Sequence, residues 1–191
     1  NYQDLMDAKG FSKPHILNML NVKYILTGKK IKNSNFLPVE TVKGVFQNLK
    51  VLPKAWIVGN VKSVETQRES LMETLLNGFD PSNSAIIYKY GGEPIIGVSS
   101  GQADVKSRVE NRIEINSRSE TGGLLVLSEI YYKPGWKAFV NGEETPIYQT
   151  NHVLRSVRVP KGDSKIIFDY YDGPWHKTRI VSRNSFLIFL F

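Results

Sequence analysis

Residues 131–162 have the sequence YYKPGWKAFVNGEETPIYQTNHVLRSVRVPKG and contain the turns that decide the fold. The dipeptide Asn141-Gly142 tolerates positive φ and therefore suits a two-residue hairpin turn between the segments WKAFV and ETPIY. In that register the predicted cross-strand pairs are Val140 with Glu143, Ala138 with Thr145 and Trp136 with Ile147. This stretch predicts antiparallel β structure joined by tight turns.

The segments on either side of this turn also have the pattern of β-strands. Residues 152–159 and 164–171 flank a Pro-Lys-Gly turn and predict a second hairpin. Residues 104–118 alternate apolar with charged side chains, which predicts one long strand with a wet face. Residues 122–132 show no alternation, as expected for a central strand covered on both sides. Together these segments predict a jelly-roll-like antiparallel β-sandwich.

The first hundred residues alternate between helix and strand patterns. Ser12, followed by a Lys-Pro dipeptide, predicts the start of a short helix. Thr66 and Glu69 have capping-box spacing, which predicts a helix over residues 66–78. Strands are predicted over residues 22–26, 55–61 and 84–90. The predicted fold class is therefore α+β, with a small N-terminal α/β unit followed by the antiparallel β-sandwich.

The chain divides into three predicted parts. Residues 1–100 form a small α+β subdomain, and residues 101–180 form the antiparallel β-sandwich subdomain. Residues 181–191 end in six uninterrupted apolar side chains, and we expect them to be the start of a truncated transmembrane helix. Six residues are too few to span a bilayer, which needs about 20. The alternative is that they form a final core strand.

The composition limits the kinds of site that the chain can hold. It has no cysteine and only three histidines, so we predict no disulfide, no metal site and no cofactor. The net charge of +7 is compatible with nucleic acid, anionic lipid headgroups or an acidic glycopolymer as a partner. The basic residues are scattered through every segment and form no continuous phosphate-tracking stripe, so we do not expect nucleic acid.

Three aromatic side chains surround the loop Lys133-Pro134-Gly135, namely Tyr131, Tyr132 and Trp136. A sugar platform needs an exposed, flat aromatic face with polar groups at its edge. Trp136 would instead be covered if it packs across its strand pair. A carbohydrate-binding platform and a packed core or rim both remain open for this cluster.

Arg155 shares the parity of Val153 and Val157 along its strand. Its guanidinium is therefore expected to face the apolar side of the strand, unless a bulge intervenes. A buried arginine needs a carboxylate, and we predict that its partner is Glu129 at the end of the covered strand. The pair would either fix the strand register or bind a ligand.

Asn151 and His152 lie at the start of the same strand, where His152 is either a general base or a structural histidine. No nucleophile, metal-binding or nucleotide-binding motif accompanies it. Glycoside hydrolysis needs two facing carboxylates, and no recognisable pair exists among Glu129, Asp104, Asp169 and Asp172. We predict no catalytic residue. The ligand-binding candidates are Glu129, Tyr131, Tyr132, Trp136, Asn151, His152 and Arg155.

Several ordered motifs resemble the C-terminal extracytoplasmic region of the YfhO family of bacterial multi-spanning membrane proteins. The most specific block is Glu129-x-Tyr131-Tyr132-x-Pro134-Gly135-Trp136, followed by Asn141-Gly142 and by Asn151-His152-x-x-Arg155. The segments LNVKYIL, LPKAWIV and FDPSNSAIIY precede this block in that order. The resemblance covers residues 16–182.

The resemblance implies a place and a class of activity for the parent protein. The family looks like glycosyltransferases that use a lipid-linked sugar and act on cell-envelope polymers. This chain would be an accessory domain on the extracytoplasmic side of the bacterial cell membrane, attached through flanking helices, with a glycan or lipid-linked sugar as its partner. Catalytic acidic residues of the parent would then lie in membrane loops outside this chain. The alternative is a purely structural or protein-interaction domain that caps the membrane body.

Overall fold

The computed structural model describes residues 1–29, 31–97 and 101–171, which form mainly β-strands. The helices are α1 (Tyr2–Asp7), a 3-10 helix (Gly10–Ser12), α2 (Pro14–Met19) and α3 (Gln67–Thr74). The strands before residue 100 are β1 (Tyr24–Leu26), β2 (Phe36–Pro38), β3 (Val45–Asn48), β4 (Ala55–Val58), β5 (Asn60–Val64) and β6 (Ser84–Tyr88). The later strands are β7 (Gly101–Val109), β8 (Arg112–Ser119), β9 (Gly123–Ile130), β10 (Trp136–Val140), β11 (Glu143–Thr145), β12 (Tyr148–Thr150), β13 (Leu154–Val159) and β14 (Gly162–Tyr170).

These strands build three sheets. The smallest has the order β1-β3-β2, the second has the order β11-β10-β14-β8-β7, and the largest has the order β4-β9-β13-β12-β6-β5. All strand pairs among the described residues are antiparallel except the β5 and β6 pair. The prediction of a β-rich, mainly antiparallel protein is therefore confirmed.

The largest sheet curls until its two edges meet at Gly59. Strand β4 ends at Val58 and β5 starts at Asn60, yet these strands lie at opposite edges of the sheet. The prediction of one continuous strand over residues 55–61 was therefore wrong, because the chain forms the two separate strands β4 and β5 there. A glycine permits the bend because it has no side chain to restrict its backbone.

Strand β9 lies between two hydrophobic cores. Leu124 and Val126 belong to the core that the curled sheet shares with α1 and α2. Leu125 and Leu127 belong to the core between the two larger sheets. Successive side chains of a strand point to opposite faces, so burial on both faces removes the alternation. The prediction of a central strand covered on both sides is confirmed.

Residues 104–118 form a hairpin and not the single long strand that was predicted. Strands β7 and β8 pair, with Val109 opposite Arg112 across the turn at residues 110 and 111. This turn contains neither glycine nor proline, and the alternation of charged side chains continues through it. The sequence therefore lacked the usual signal for a chain reversal.

The hairpin predicted on either side of Pro160 is also wrong. Strand β13 belongs to the largest sheet and β14 to the five-stranded sheet, so the chain crosses between layers at this turn. Val157 and Val159 of β13 pack in the same core as Ile166 and Phe168 of β14. Facing strands of two sheets have the same alternation as two paired strands, so the pattern did not distinguish them.

Other local predictions agree with the structure. Asn141 and Gly142 have φ values of 54° and 91°, and β10 and β11 pair around them. Thr66 and Glu69 form the predicted capping box at the start of α3. Ser12, however, does not cap α2, whose N-cap residue is Lys13. The largest sheet takes strands from both sides of residue 100, so the two predicted subdomains share one sheet.

Candidate functional site

Two connections meet at one end of the largest sheet and carry most of the predicted site residues. The first joins β9 to β10 over residues 131–135, and the second joins β12 to β13 over residues 151–153. The backbone N–H of Tyr131 donates to the carbonyl of Val153 at 2.7 Å, so the two connections are attached to each other. The antiparallel pairing of β9 with β13 places both at the same end of the sheet.

Gly135 sets the geometry of the first connection. Its φ is 80°, and a Cβ at this position would lie 2.5 Å from the Tyr170 ring. The carbonyl of Gly135 accepts from the backbone N–H of Tyr171 at 2.7 Å. The next residue, Trp136, lies opposite Tyr170 in the sheet, with ring centroids 5.4 Å apart. Glycine is therefore required by both the backbone conformation and the nearby ring.

The predicted pair of Trp136 with Ile147 does not form. Strand β11 ends at Thr145, and the pairs Val140 with Glu143 and Ala138 with Thr145 are those predicted. Ile147 still packs against the core between the larger sheets, as does half-buried Trp136. The short length of β11 is the reason that the ladder stops before Trp136 is reached.

Arg155 lies under Trp136 and is nearly inaccessible, with 5% of its surface exposed. The guanidinium carbon is 4.5 Å from the centroid of the Trp136 ring, a cation–π contact. Its Nη2 donates to the carbonyl of Ile130 at 2.7 Å, whereas Nε and Nη1 have no hydrogen-bond partner among the described residues. Burial lowers the pKa of Arg155, and the negative charge of Glu129 opposes that effect. The inward orientation predicted for this side chain is confirmed.

Glu129 does not form the predicted ion pair with Arg155. Its Oε1 lies 2.9 Å from Lys54 Nζ and 2.9 Å from Arg108 Nη2. The pairing of β9 with β13 shifts at Leu154 and Arg155, where a bulge displaces Glu129 from the ladder. The carboxylate is thereby directed to Lys54, which precedes β4, and to Arg108 of β7. Lys54 also donates to the carbonyl of Ser128, which holds the bulge in place.

Asn151 and His152 form a separate polar group on the other side of the sheet. Both have left-handed backbones, with φ of 47° and 65°. Asn151 is bonded to Ile86 of β6 twice: its N–H donates to the Ile86 carbonyl, and its Oδ1 accepts from the Ile86 N–H. His152 is buried, and its Nε2 lies 3.1 Å from Asp4 Oδ2 of α1. Burial lowers the pKa of His152, although the hydrogen bond with Asp4 opposes that shift.

The structure therefore divides the predicted site residues into two groups. Asn151 and His152 connect the β12 to β13 turn with β6 and α1. Arg155 lies on the opposite face of this sheet, where it contacts Trp136 of the five-stranded sheet. The sequence did not identify the residues that complete these contacts, namely Lys54, Arg108, Asp4, Tyr170 and Tyr171. Their partners are distant along the chain, so no spacing in the sequence indicated them.

Exposed aromatic rings accompany Trp136 at this end of the molecule. Tyr132 is 56% exposed, Tyr171 is also exposed, and Tyr131 is half-buried. Burial raises the pKa of Tyr131. We call this set the aromatic edge, defined by Tyr131, Tyr132, Trp136, Tyr170 and Tyr171. Its exposed rings offer apolar faces beside the charged side chain of Lys137, whose Nζ lies 5.7 Å from the Tyr171 ring centroid.

The described carboxylates that were considered for hydrolysis are held by cations. Glu129 has the two partners given above, Asp104 pairs with Lys106, and Asp169 Oδ2 lies 3.2 Å from Arg112 Nη1. Asp172 lies outside the described residues. Within the described ranges, His, Asp and Glu side chains form no group of three or more that would hold a metal ion. The chemistry that this arrangement offers is stacking and hydrogen bonding.

The longest helix within residues 1–29, 31–97 and 101–171 has eight residues, so no helix in these ranges could span a bilayer. The transmembrane start predicted at residues 181–191 lies outside these ranges.

Comparison with known proteins bears on the family. Residues 98–178 match the model of the family described as bacterial membrane protein YfhO. No curated protein and no solved structure matches the chain. The matched segment contains the block from Glu129 to Trp136 and both connections that form the candidate site. The resemblance identified from the motifs is therefore confirmed at the level of the family over residues 98–178, which match the YfhO family of bacterial membrane proteins.

Proposed function

We propose that this chain is an extracytoplasmic accessory domain of a membrane glycosyltransferase-like protein that acts on cell-envelope polymers. In this proposal the aromatic edge recognises a glycan or an acceptor, and the chemistry takes place elsewhere in the parent protein. The observation that carries the proposal is the exposed ring of Tyr132, which lies in the connection that also positions Trp136 and Gly135. We also propose that the two larger sheets form the jelly-roll-like sandwich expected from the sequence.

Aromatic rings bind sugars through a physical match between the two surfaces. The C–H groups of a pyranose ring pack on an aromatic face, while its hydroxyl groups need polar partners at the edge of that face. Tyr132 and Tyr171 supply exposed rings, and Lys137 supplies hydrogen-bond donors beside Tyr171. A single such contact is weak, so the expected affinity is low unless several sugar units bind together.

The buried groups behind the aromatic edge would fix its shape before a ligand arrives. Arg155 covers one face of Trp136, and Gly135 holds the connection against Tyr170 and Tyr171. A preorganised surface loses less side-chain entropy on binding. In this proposal Arg155 positions Trp136 and does not contact the ligand, because its buried side chain is not accessible in this conformation.

A structural role is the second candidate, and a specific observation favours it. Trp136 packs against the core between the two larger sheets, with Arg155 against its ring. His152 and Asn151 attach α1 and β6 to the sheet. These contacts would exist in a domain that only caps the membrane body or holds a protein partner. Such a domain would not require the exposed ring of Tyr132.

Calorimetric titration with oligosaccharides prepared from bacterial envelope polymers separates the two candidates. Tyr132→Ala removes an exposed ring of the aromatic edge, and Tyr24→Ala removes a ring of matched exposure, 58% against 56%, from a different sheet. We expect Tyr132→Ala to weaken binding roughly 5- to 150-fold, which corresponds to about 1 to 3 kcal/mol for a stacked ring, and Tyr24→Ala to have no effect. Absence of binding by the unchanged protein, or an equal loss in both variants, would favour the structural role.

A further inference from the structure

Most of the net positive charge of the chain lies in residues 23–50, the segment that contains the small sheet β1-β3-β2. Residues 23–50 contain six lysines and one glutamate, whereas the remainder contains nineteen basic and seventeen acidic residues. The described lysines of this segment are all exposed: Lys23, Lys29, Lys32, Lys43 and Lys50. None of them forms an ion pair with another described residue. Their charge is therefore available to an external partner.

This sheet, β1-β3-β2, is attached to the body of the protein through one face. Phe36 and Asn48 lie opposite each other on that face, and both are buried. The Nδ2 of Asn48 donates to Asn18 Oδ1 at 2.9 Å and to the carbonyl of Val22 at 3.0 Å. The contacts with α2 fix which face of the sheet is turned outward.

The outward face carries exposed apolar side chains on its two edge strands, with Gln47 between them on β3. Tyr24, Leu26 and Leu37 lie on it, because Tyr24 and Leu37 both oppose Gln47 in the ladder and Leu26 is two residues beyond Tyr24. All three are exposed, and Leu26 is 81% exposed. A group of apolar side chains with this exposure in a folded protein indicates a surface that another molecule covers.

Lysines flank both ends of this face. Lys23 lies at the start of β1, with its carbonyl bonded to the N–H of Asn48 at 2.8 Å, and Lys50 follows β3. At the other end, Thr27 is bonded to Gly44, which places the segments of Lys29 and Lys43 side by side. The basic groups therefore surround the apolar side chains on two sides. We call this surface the lysine-flanked sheet, defined by Tyr24, Leu26, Leu37 and the five described lysines.

We propose that the lysine-flanked sheet docks on a membrane surface rich in anionic phospholipids. Apolar side chains would enter the boundary between headgroups and acyl chains, and the lysines would reach the phosphate groups around them. The match of residues 98–178 to a family of bacterial membrane proteins supports this choice of partner. A nucleic acid fits less well, because Tyr24 offers one ring, whereas Leu26 and Leu37 on the two edge strands offer neither stacking nor hydrogen bonds.

Sedimentation with lipid vesicles tests this docking directly. The complete 191-residue chain is mixed with vesicles of phosphatidylcholine alone, or of phosphatidylcholine and phosphatidylglycerol in equal parts. We expect binding to the mixed vesicles that weakens as salt rises, and little binding to phosphatidylcholine alone. Binding that is equal on both vesicles and insensitive to salt would overturn the proposal.

Matched variants locate the surface. Lys29→Gln/Lys32→Gln/Lys43→Gln should reduce vesicle binding roughly 100-fold, since each lysine near an anionic surface contributes about 1 kcal/mol. Lys133→Gln/Lys161→Gln/Lys165→Gln removes the same charge elsewhere and should have a small effect. Leu26→Ser should weaken binding about tenfold or more, whereas Ile96→Ser, at 84% exposure, should not.

Two further outcomes of the vesicle experiment would also contradict the docking proposal. The apolar residues 186–191 are unchanged in every variant, so binding that persists in all of them would come from another part of the chain and would overturn the proposal. Binding to a bacterial protein or to RNA that competes with the vesicles and requires Leu26 would assign the surface to a different partner. Tyr132→Ala should leave vesicle binding unchanged, so this experiment is independent of glycan recognition.

Discussion

The guanidinium carbon of Arg155 lies 4.5 Å from the centroid of the Trp136 ring, and no described carboxylate forms an ion pair with that guanidinium. A buried arginine is therefore compensated by an aromatic face, one backbone carbonyl and the more distant charge of Glu129. This contact connects the core between the sheets to the surface on which we propose that glycans bind.

The first prediction is an energetic coupling between Arg155 and Trp136. Trp136→Ala should lower the free energy of unfolding by about 3 kcal/mol, the lower end for loss of a packed tryptophan, because the ring is only half-buried. In a double-mutant cycle with Arg155→Met, measured by urea unfolding, the coupling should be about 1 to 2 kcal/mol. A coupling near zero would show that the two side chains do not stabilise each other.

Arg155→Met by itself provides the second prediction. Methionine has similar length and is apolar, so the variant removes a buried charge but leaves the carbonyl of Ile130 without its donor. These effects oppose each other, and the free energy of unfolding should stay within about 1 kcal/mol of the unchanged protein. Arg155→Ala, which also leaves a cavity, should be destabilised by about 3 kcal/mol. If both variants lose the same amount, the guanidinium itself is the stabilising group.

Acid should destabilise the protein through His152. Burial lowers its pKa below the ordinary 6.5, so as pH falls through this window the unfolded chain takes up the proton first. The free energy of unfolding should therefore decrease with falling pH. His152→Asn keeps a residue that tolerates the left-handed backbone and should flatten this dependence.

Two other titratable groups, His15 and Asp4, also contribute to the pH dependence of stability and must be separated from His152. The pKa of His15 is also lowered by burial, so part of the acid dependence remains in His152→Asn. The hydrogen bond with His152 lowers the pKa of Asp4, whose contribution is lost only at more acidic pH, below about 3.8. Denaturant unfolding at several pH values separates these ranges. An unchanged slope below pH 6.5 in His152→Asn would exclude His152 as the cause.

Gly135→Ala should damage the aromatic edge. The new Cβ would meet the Tyr170 ring at 2.5 Å while the backbone stays at a φ of 80°, so both sterics and backbone strain oppose it. We expect a loss of about 2 kcal/mol or more in the free energy of unfolding. Gly142→Ala is the matched control, because its φ is 91° but open space surrounds it, and it should lose about 1 kcal/mol. Equal losses would indicate that the contact with Tyr170 is unimportant.

The sequence predicted local features of this protein better than its long-range pairing. The Asn141-Gly142 turn and the Thr66 capping box depend on residues a few positions apart, and both formed as predicted. At Pro160 the chain crosses from the largest sheet to the five-stranded sheet. The alternation of apolar and polar side chains does not indicate which strand pairs with β14, so it did not predict this crossing. A two-residue turn without glycine similarly concealed the β7 to β8 hairpin.

In the candidate site, too, the sequence predicted local features better than contacts between distant residues. The parity of Arg155 along its strand correctly predicted a buried guanidinium. The prediction that Glu129 is the partner of Arg155 was wrong, because the bulge beside Leu154 moves Glu129 out of register and toward Lys54. A bulge adds a residue without leaving a signal in the hydrophobic pattern. The sequence also did not predict the exposure of Tyr132, because this depends on how the connection over residues 131–135 folds beside β14.

Nuclear magnetic resonance mapping of glycan binding tests the proposed function most directly. The uniformly ¹⁵N-labelled chain is titrated with oligosaccharides from a bacterial envelope polymer, and backbone amide shifts are followed residue by residue. We predict saturable changes concentrated in residues 131–137 and at Tyr170 and Tyr171, which disappear in Tyr132→Ala while the rest of the spectrum stays the same. No saturable change in residues 131–137, or changes unaffected by Tyr132→Ala, would contradict glycan recognition by the aromatic edge.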